Sequence, residues 1–482
     1  MSFDISFHLP KGWAIKTVAE LVTDKIIEKP LDGNHGGIHP KASDYVESGV
    51  PFIMASDLEA GRVNFNSCKY ISVEQAKTLR KGFAKEKDVL LSHKATIGRT
   101  AIVQESNNDF IVLTPQITYY RIKDNLQLNN IYLKSYFDSH FFQSIIKQWA
   151  GAGSTRAYIG ITDQLKLPII IPPIETQRKI AAFADSINRK IYLNSQINET
   201  LESICLMIFK SWFIDFDPVK AKMVAILEGK DPELAAMSIL SGRTEAEIDQ
   251  MEEDDRAELK ATAELFPNDF VESEVGKIPK GWTLQALYDT AEFINGVAFK
   301  AKDFIPTTDG LPIIKIAELK QGISLQTKYT NIKLDKKYQV KSGDVFYSWS
   351  GSPETSLDVF KWFGECGWLN QHIFKINTKN DGQTYFVYYL LKYLKPKLIR
   401  LATNKQTTGL GHITVADMKK LHVIKPEEKL YSSYMRKITS FYEEDSLLKK
   451  MNIDLILLRD TLLPKILIGE IDVAALNEVL HD

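Results

Sequence analysis

The side chains best suited to chemistry in this sequence sit on polar, glycine-bearing loops that fall into two sets. The first set is 33–41 (GNHGGIHPK), 92–99 (SHKATIGR) and 151–158 (GAGSTRAY); the second is 295–302 (NGVAFKAK), 348–352 (SWSGS) and 404–412 (NKQTTGLGH). The candidates in the first are Asn34, His35, Lys41, Lys94, Arg99, Arg156 and Tyr158. In the second they are Lys300, Lys302, Trp349, Ser350, Lys405, Gln406 and His412. Cations and small hydroxyls of this kind meet phosphate oxygens, while Arg, Lys, Asn, Gln and Ser on loops meet base edges. Each also has a plainer reading. A loop lysine can be merely solvated, Thr96-Ile97-Gly98 and Thr408-Gly409 suit turns, and Trp349 suits a core. Gln116 and Gln371 read as partners for buried backbone groups, and Trp212 and Phe213 as anchors for a helix end.

Bond-making chemistry has no comparable signal. An adenine methyltransferase grips its flipped base with an Asn/Asp-Pro-Pro-aromatic loop. The Pro-Pro here, in Ile171-Pro172-Pro173-Ile174, has no polar residue before it and reads as a helix start. No G-x-x-x-x-G-K-[ST] phosphate loop occurs, and Ser350-Gly351 lacks the glycine two residues upstream that a nucleophile elbow needs. Glu427-Glu428-Lys429 can be forced into a nuclease-like carboxylate-x-Lys, but it reads as a solvated first helical turn. Cys68, Cys205 and Cys366 show no metal-ligand spacing, so reduced thiols of a cytoplasmic protein are expected. No basic-then-apolar leader and no apolar run of about 18 residues is visible, and no membrane is expected.

The formal net charge of −1 over 482 residues conceals a segregation. Residues 214–275 hold 6 basic against 17 acidic side chains, whereas 276–426 hold 22 against 12. A strongly basic block beside a strongly acidic one suits polyanion binding, although a solvated face explains it almost as well.

The elements that must position these loops occur twice. Pro10-Lys11-Gly12-Trp13 returns as Pro279-Lys280-Gly281-Trp282, and 49–61 (GVPFIMASDLEAG) as 310–322 (GLPIIKIAELKQG). Lys87-Asp88-Val89-Leu90 pairs with Gly343-Asp344-Val345-Phe346, and Thr114-Pro115-Gln116-Ile117 with Asn370-Gln371-His372-Ile373. Last, 153–172 pairs with 405–426. Five cues in one order identify an internal duplication. Short β-branched and aromatic runs between turn residues make each copy an α/β (α+β) domain, here 1–174 and 276–425.

Each copy precedes a long helical stretch. From Thr176 to Phe213 there is no Pro or Gly, and Ile180, Phe183, Ile187, Ile191, Ile197, Leu201, Ile204 and Ile208 recur at helical steps. The second stretch runs through Ile438, Phe441, Leu448, Leu455, Leu458 and Leu462, bending or ending near Pro464 and Gly469. The expected spacers are 175–213 and 426–470, with a tail at 471–482. Neither can bury its stripe alone, so an antiparallel coiled-coil pair between two globular domains, with a pseudo-two-fold axis, is expected. Asn194 and Asn452 interrupt the stripes; they read as incidental polar positions, with fixing of register as the alternative. The acidic segment 214–275 reads as a helical surface appendage or linker bundle.

The runs 209–222 (FKSWFIDFDPVKAK), 265–282 (LFPNDFVESEVGKIPKGW) and 462–473 (LLPKILIGEIDV) resemble the specificity subunit (HsdS) of type I restriction-modification systems. So do the SHKATIGR loop, the PP-x-E-x-Q helix opening at 172–177 and the duplicated domain–helix order. The resemblance covers essentially the whole chain. It implies a non-catalytic subunit whose two target-recognition domains each read half of a bipartite, asymmetric double-stranded DNA target. It implies long helices that dock two methyltransferase (HsdM) subunits, which two restriction and translocation (HsdR) subunits join. S-adenosylmethionine, ATP and magnesium then belong to those partners and no cofactor to this chain. The rival readings are a fragment of a single-chain restriction-modification enzyme and a duplicated coiled-coil scaffold that binds no DNA.

Overall fold

The computed structural model describes residues 9–151, 158–324, 326–405 and 411–473. Arg156 and Gln406 lie outside the described residues. The chain divides into two compact units, Met1–Asn194 with Asn452–Asp482, and Ser195–Met451. Among the described residues no helix is long and apolar enough to cross a membrane.

In the first unit, alternation along the strands explains the layering. Val89–Ser92 and Ile117–Tyr120 pair antiparallel in a mixed sheet with Leu31–Asp32 and Thr100–Ile102. Val89, Leu91 and Tyr120 face one apolar core, and Leu90, Ile117 and Tyr119 face another, as a two-residue period requires. The first core is covered by the helices Asn130–Asp138 and His140–Trp149. There Tyr132 and Tyr136 bury their rings and donate to the carbonyls of Ile170 and Pro168, at 2.7 and 2.9 Å. A second sheet packs Val50–Ile53 parallel to Ile111–Leu113.

The second unit repeats the central strands of this plan. Val345–Ser348 and Ile373–Asn377 pair antiparallel, flanked by Glu292–Asn295 and Asp358–Lys361, and Leu311–Ile314 runs parallel to Gly367–Leu369. Ala14–Thr17 pairs with Pro168–Ile171, and Thr283–Ala286 with His422–Lys425, so each domain is closed immediately before its long helix. The repeated Pro-Lys-Gly-Trp is one turn made twice. Trp13 N–H donates to Pro10 at 3.1 Å and Trp282 N–H to Pro279 at 3.0 Å, with Gly12 and Gly281 at φ +88° and +85°. A side chain there would be strained, which is why glycine recurs.

The long helices span Ile174–Phe213 and Glu428–Leu467. The first starts on Gln177, whose amide donates to Pro172 and Gln127 carbonyls and accepts from Asn129 N–H. The second runs through Pro464, expected to bend or end it, and stops before Gly469. Within the first unit the two run antiparallel: Asn194 Nδ2 donates to Asn452 Oδ1 at 2.9 Å and Arg459 to Asn188 at 2.9 Å. Within the second, Tyr434 Oη donates to the Cys205 carbonyl at 3.1 Å, and the Asn198 amide meets Asp445.

Three expectations need correction. The two asparagines are not incidental, since they bond to each other across the helix pair, and Asn452 Nδ2 also donates to Ile191 O at 3.3 Å. The apolar stripe does not continue through Ile197, which is 44% exposed, while Asn194, Asn198, Cys205, Phe209 and Trp212 take the buried positions. Paired amides in the seam displaced the stripe by one residue. The acidic segment is no appendage either. Its helices Asp217–Leu227, Pro232–Ser241, Glu245–Asp249 and Glu253–Glu264 send Val219, Met237, Leu240, Ile248 and Ala263 into one core with Trp212, Phe213 and Trp282, and Phe266 follows just beyond the last. Buried Lys222 fastens it by donating to Glu233 and to the Phe266 carbonyl at 2.7 Å.

Candidate nucleic-acid interface

Each domain's main sheet runs out into a polar rim. In the first, register places Asp32, Thr118 and Leu91 side by side on one face. His93 continues that row just beyond the strand. Its N–H donates to the Gln116 carbonyl at 2.8 Å, and its carbonyl accepts from Ile159 N–H at 3.0 Å. The ring Nδ1 lies 3.0 Å from the Ile159 carbonyl. A carbonyl only accepts, so Nδ1 carries the proton and Nε2 keeps its lone pair. That Nε2 is buried without a hydrogen-bond partner among the described residues. Burial holds the imidazole neutral, with its pKa down at about 4.

Lys94 and Tyr158 stand at the outer edge of this rim. They share a backbone bridge, the Tyr158 ring lies 5.6 Å from that of His93, and the Lys94 ammonium 6.0 Å from the Tyr158 ring. Asp32 is buried and bonded by Lys81 and by His35, the latter at 2.7 Å. Burial pushes its carboxyl up, but those two bonds outweigh it and hold the pKa below the ordinary value. His35 therefore reaches the rim through Asp32. Asn34 does not: it is buried, donating to the Lys81 carbonyl at 2.5 Å and accepting from Arg80 N–H at 2.9 Å. An amide spent at both ends on the backbone fastens a loop, so the contact expected of Asn34 is withdrawn. Arg99 is exposed but directs its guanidinium to the Ala55 and Ser56 carbonyls, at 3.1 and 3.5 Å. Lys41 is exposed on its loop, away from the bonds that hold the rim.

In the second domain the same row reads Tyr347, Phe374 and Asn295, followed by Trp349. Trp349 N–H meets the His372 carbonyl at 3.3 Å, and Ile413 N–H the Trp349 carbonyl at 2.9 Å. The indole is half-buried and donates to Asn295 Oδ1 at 3.0 Å. Its ring lies 5.8 Å from His372 and 6.0 Å from His412. Ser350 Oγ and His412 Nδ1 are 2.8 Å apart. Among the described residues no carboxylate bonds to His412, so the pair lacks the orienting acid of a nucleophilic triad. Gln371 bonds the His372 ring at 3.0 Å, not a backbone group as expected. Burial, and then His412 nearby, push the His372 pKa below its ordinary value.

Trp349, Ser350 and His412 are thus brought together, while Lys300 and Lys302 are exposed on and beside the loop Ala301–Asp303. Lys405 is partly neutralised by an ion pair with Asp417, which also caps the helix Val415–Lys420. Sequence reasoning missed Asp32, His93, Asn295 and His372. Asp32 adjoins a quoted loop, His93 and Asn295 lie within quoted loops and His372 within a quoted repeat, and the repeat, extended strand by strand, would have singled them out. Among the described residues no group of His, Cys, Asp and Glu could hold a metal ion.

Two stretches, 10–203 and 279–447, match the family described as the type I restriction modification DNA specificity domain, each beginning on the proline of a Pro-Lys-Gly-Trp turn. The type I restriction enzyme HindI specificity subunit of Haemophilus influenzae is 29% identical over 440 residues, covering 88% of this chain and 94% of that protein. The MjaIX specificity subunit of Methanocaldococcus jannaschii is 23% identical over 484 residues, covering 97% and 95%. The solved S subunit of a type I system from M. genitalium overlays with a TM-score of 0.46 at 12% identity, covering 96% of this chain and 98% of that one. With both halves of the duplication matched, the chain belongs to the family of DNA specificity subunits of type I restriction-modification systems.

Proposed function

We propose that this specificity subunit reads a bipartite, asymmetric duplex DNA target, one recognition domain to each part. The observation that carries this reading is the repeated sheet register ending in two chemically different rims. One scaffold used twice supplies two parts, and unequal rims make them unequal. The flanking cations Lys41, Lys94, Arg99, Lys300, Lys302 and Lys405 contact phosphates in this reading, as do the expected Arg156 and Gln406.

The long helices dock two methyltransferase subunits, and two restriction subunits complete the assembly. Support comes from apolar side chains in the first unit that the helix pair leaves to solvent: Leu193, Ile453, Ile456 and Leu457, the last 66% exposed. S-adenosylmethionine, ATP and magnesium are held by those partners, and bond making and breaking occur there.

The test is a methylation map made with the chain co-expressed with its modification subunit. A two-part motif separated by a fixed gap is expected. Four residues inserted after Ser195 lengthen a helix by about 6 Å, between one and two base pairs at about 3.4 Å each, and should change that gap. A one-part motif, or methylation that ignores this chain, sinks the proposal.

A further inference from the structure

We infer that five registered rim positions set which bases each domain accepts, an assignment that rests on the reading that each domain reads one part of the target. The positions are Asp32/Asn295, His93/Trp349, Lys94/Ser350, Gln116/His372 and Tyr158/His412, with buried Asp32 acting by holding His35. Register fixes these equivalences. Thr118 lies opposite both Leu91 and Asp32, as Phe374 lies opposite both Tyr347 and Asn295. Lys94 bridges Tyr158 as Ser350 pairs with His412.

The positions that hold this rim in shape carry the same residue in both copies: Ser92 and Ser348, Ile117 and Ile373, Ile159 and Ile413. Gly33 and Gly296 are likewise matched. A Cβ on either would collide with a backbone carbonyl, of Leu113 or of Asn370. The supports are identical and all five rim residues differ. These four supports agree although the rows beneath them do not, Leu91 standing against Tyr347 and Thr118 against Phe374.

The rims also carry unspent hydrogen-bonding capacity. His93 Nε2 in the first and His372 Nδ1 in the second are buried without partners among the described residues, atoms that a bound group or water must satisfy. In the second rim the unspent capacity has a direction. Trp349 occupies Asn295 Oδ1, so exposed Asn295 retains its Nδ2 hydrogens and donates. A side chain left with donors reads acceptors, which in the major groove are purine N7, guanine O6 and thymine O4.

The test transfers the first rim onto the second in the full chain: Asn295→Asp, Trp349→His, Ser350→Lys, His372→Gln and His412→Tyr together, co-expressed with the modification subunit. One part of the methylated motif should change while the other stays as in the parent. The single change Asn295→Asp, at an exposed position, carries the test if the fivefold variant does not assemble. It replaces a donor by an acceptor and should lower methylation of the original target at least tenfold, with assembly unaffected. An unchanged motif at an unchanged rate from an assembled complex overturns the rim assignment, while leaving the two-part reading standing. A parent map without two parts overturns the reading beneath it, and the assignment falls with it.

Discussion

The two recognition domains hold the same strand register but back it with different side chains. At the position where the first carries Arg99, bonded to backbone carbonyls, the second carries Asp358. Where the first has Ile102, the second has Lys361. The first domain backs its sheet with Tyr132, Tyr136, Phe137 and Phe142. The second threads a charged network behind its own, from Glu202 on the first long helix through Lys392 to Asp358 and Lys395, with Tyr388 Oη donating to Glu202 at 2.7 Å. Lys361 reaches the second long helix, donating to Ser446 at 2.7 Å with its ammonium 3.9 Å from the Tyr442 ring. Burial lowers its pKa to about 8. A scaffold that must present different rims therefore tolerates different foundations, provided the strand ladder is kept.

The sharpest way to break this symmetry is Lys392→Met. It removes the strongest of the attractions that oppose burial at both carboxyls, leaving Glu202 with Lys449 and the Tyr388 hydroxyl and Asp358 with Lys395. The network is half-buried, so removing one partner should cost less than the roughly 3–5 kcal/mol of a fully buried ion pair. Denaturation followed by segment-resolved hydrogen exchange should show the loss in the second unit and none in the strands of the first. A uniform loss would mean that the network is not local to one domain.

His93 tests the first domain in the same way. Its folded pKa of about 4 lies below its ordinary 6.5. Below pH 6.5 the unfolded chain takes up a proton that the folded chain refuses, so stability is full above that pH and falls as pH drops toward 4. The window corresponds to roughly 3 kcal/mol. His93→Gln should flatten the difference between stabilities measured at about pH 7 and about pH 4.5 in the first unit. The second unit carries Trp349 at this position, and the pH dependence contributed by its own depressed histidine, His372, should be unaffected by the change. Equal pH dependence in parent and variant would refute it.

Much of this architecture was legible in the sequence because it depends on local pattern. Turn glycines, alternating strands and proline-free helical stripes announce themselves within a few residues, and repetition doubled each signal. What was hidden depends on partners distant in the chain. Asn194 looks incidental until Asn452 stands against it, 258 positions away. Asn34 looks like a free loop amide until Arg80 and Lys81 claim it. The acidic segment looks like a linker because charge dominates its composition, while a few apolar residues, Met237, Leu240 and Phe266, decide its packing. Rim residues such as His93 and Asn295 escaped because strand register, which brings them together, is not written in any single segment.

A smaller effect is expected on the helices. Leu457→Asp changes an exposed side chain, so stability should move by no more than about 0.5 kcal/mol. Co-purification with the modification subunit should weaken at least tenfold, because burying a leucine contributes about 1.5–3 kcal/mol. Retained affinity would show that docking lies elsewhere.

The smallest effect separates two lysines of the second domain. Lys302 is exposed, whereas Lys405 already spends its charge on Asp417. Removing one phosphate contact reduces the slope of log affinity against log salt by about 1. Lys302→Ala should approach that value. Lys405→Ala should fall short of it, because binding must first draw the ammonium from a carboxylate whose pKa it helps to depress against the opposing effect of burial. Asp417→Asn should then restore the full contribution of Lys405, raising the slope of an otherwise unchanged chain. Equal slopes for all three variants would mean that neither lysine meets the backbone, and the phosphate contacts of this domain would have to be sought among its other cations.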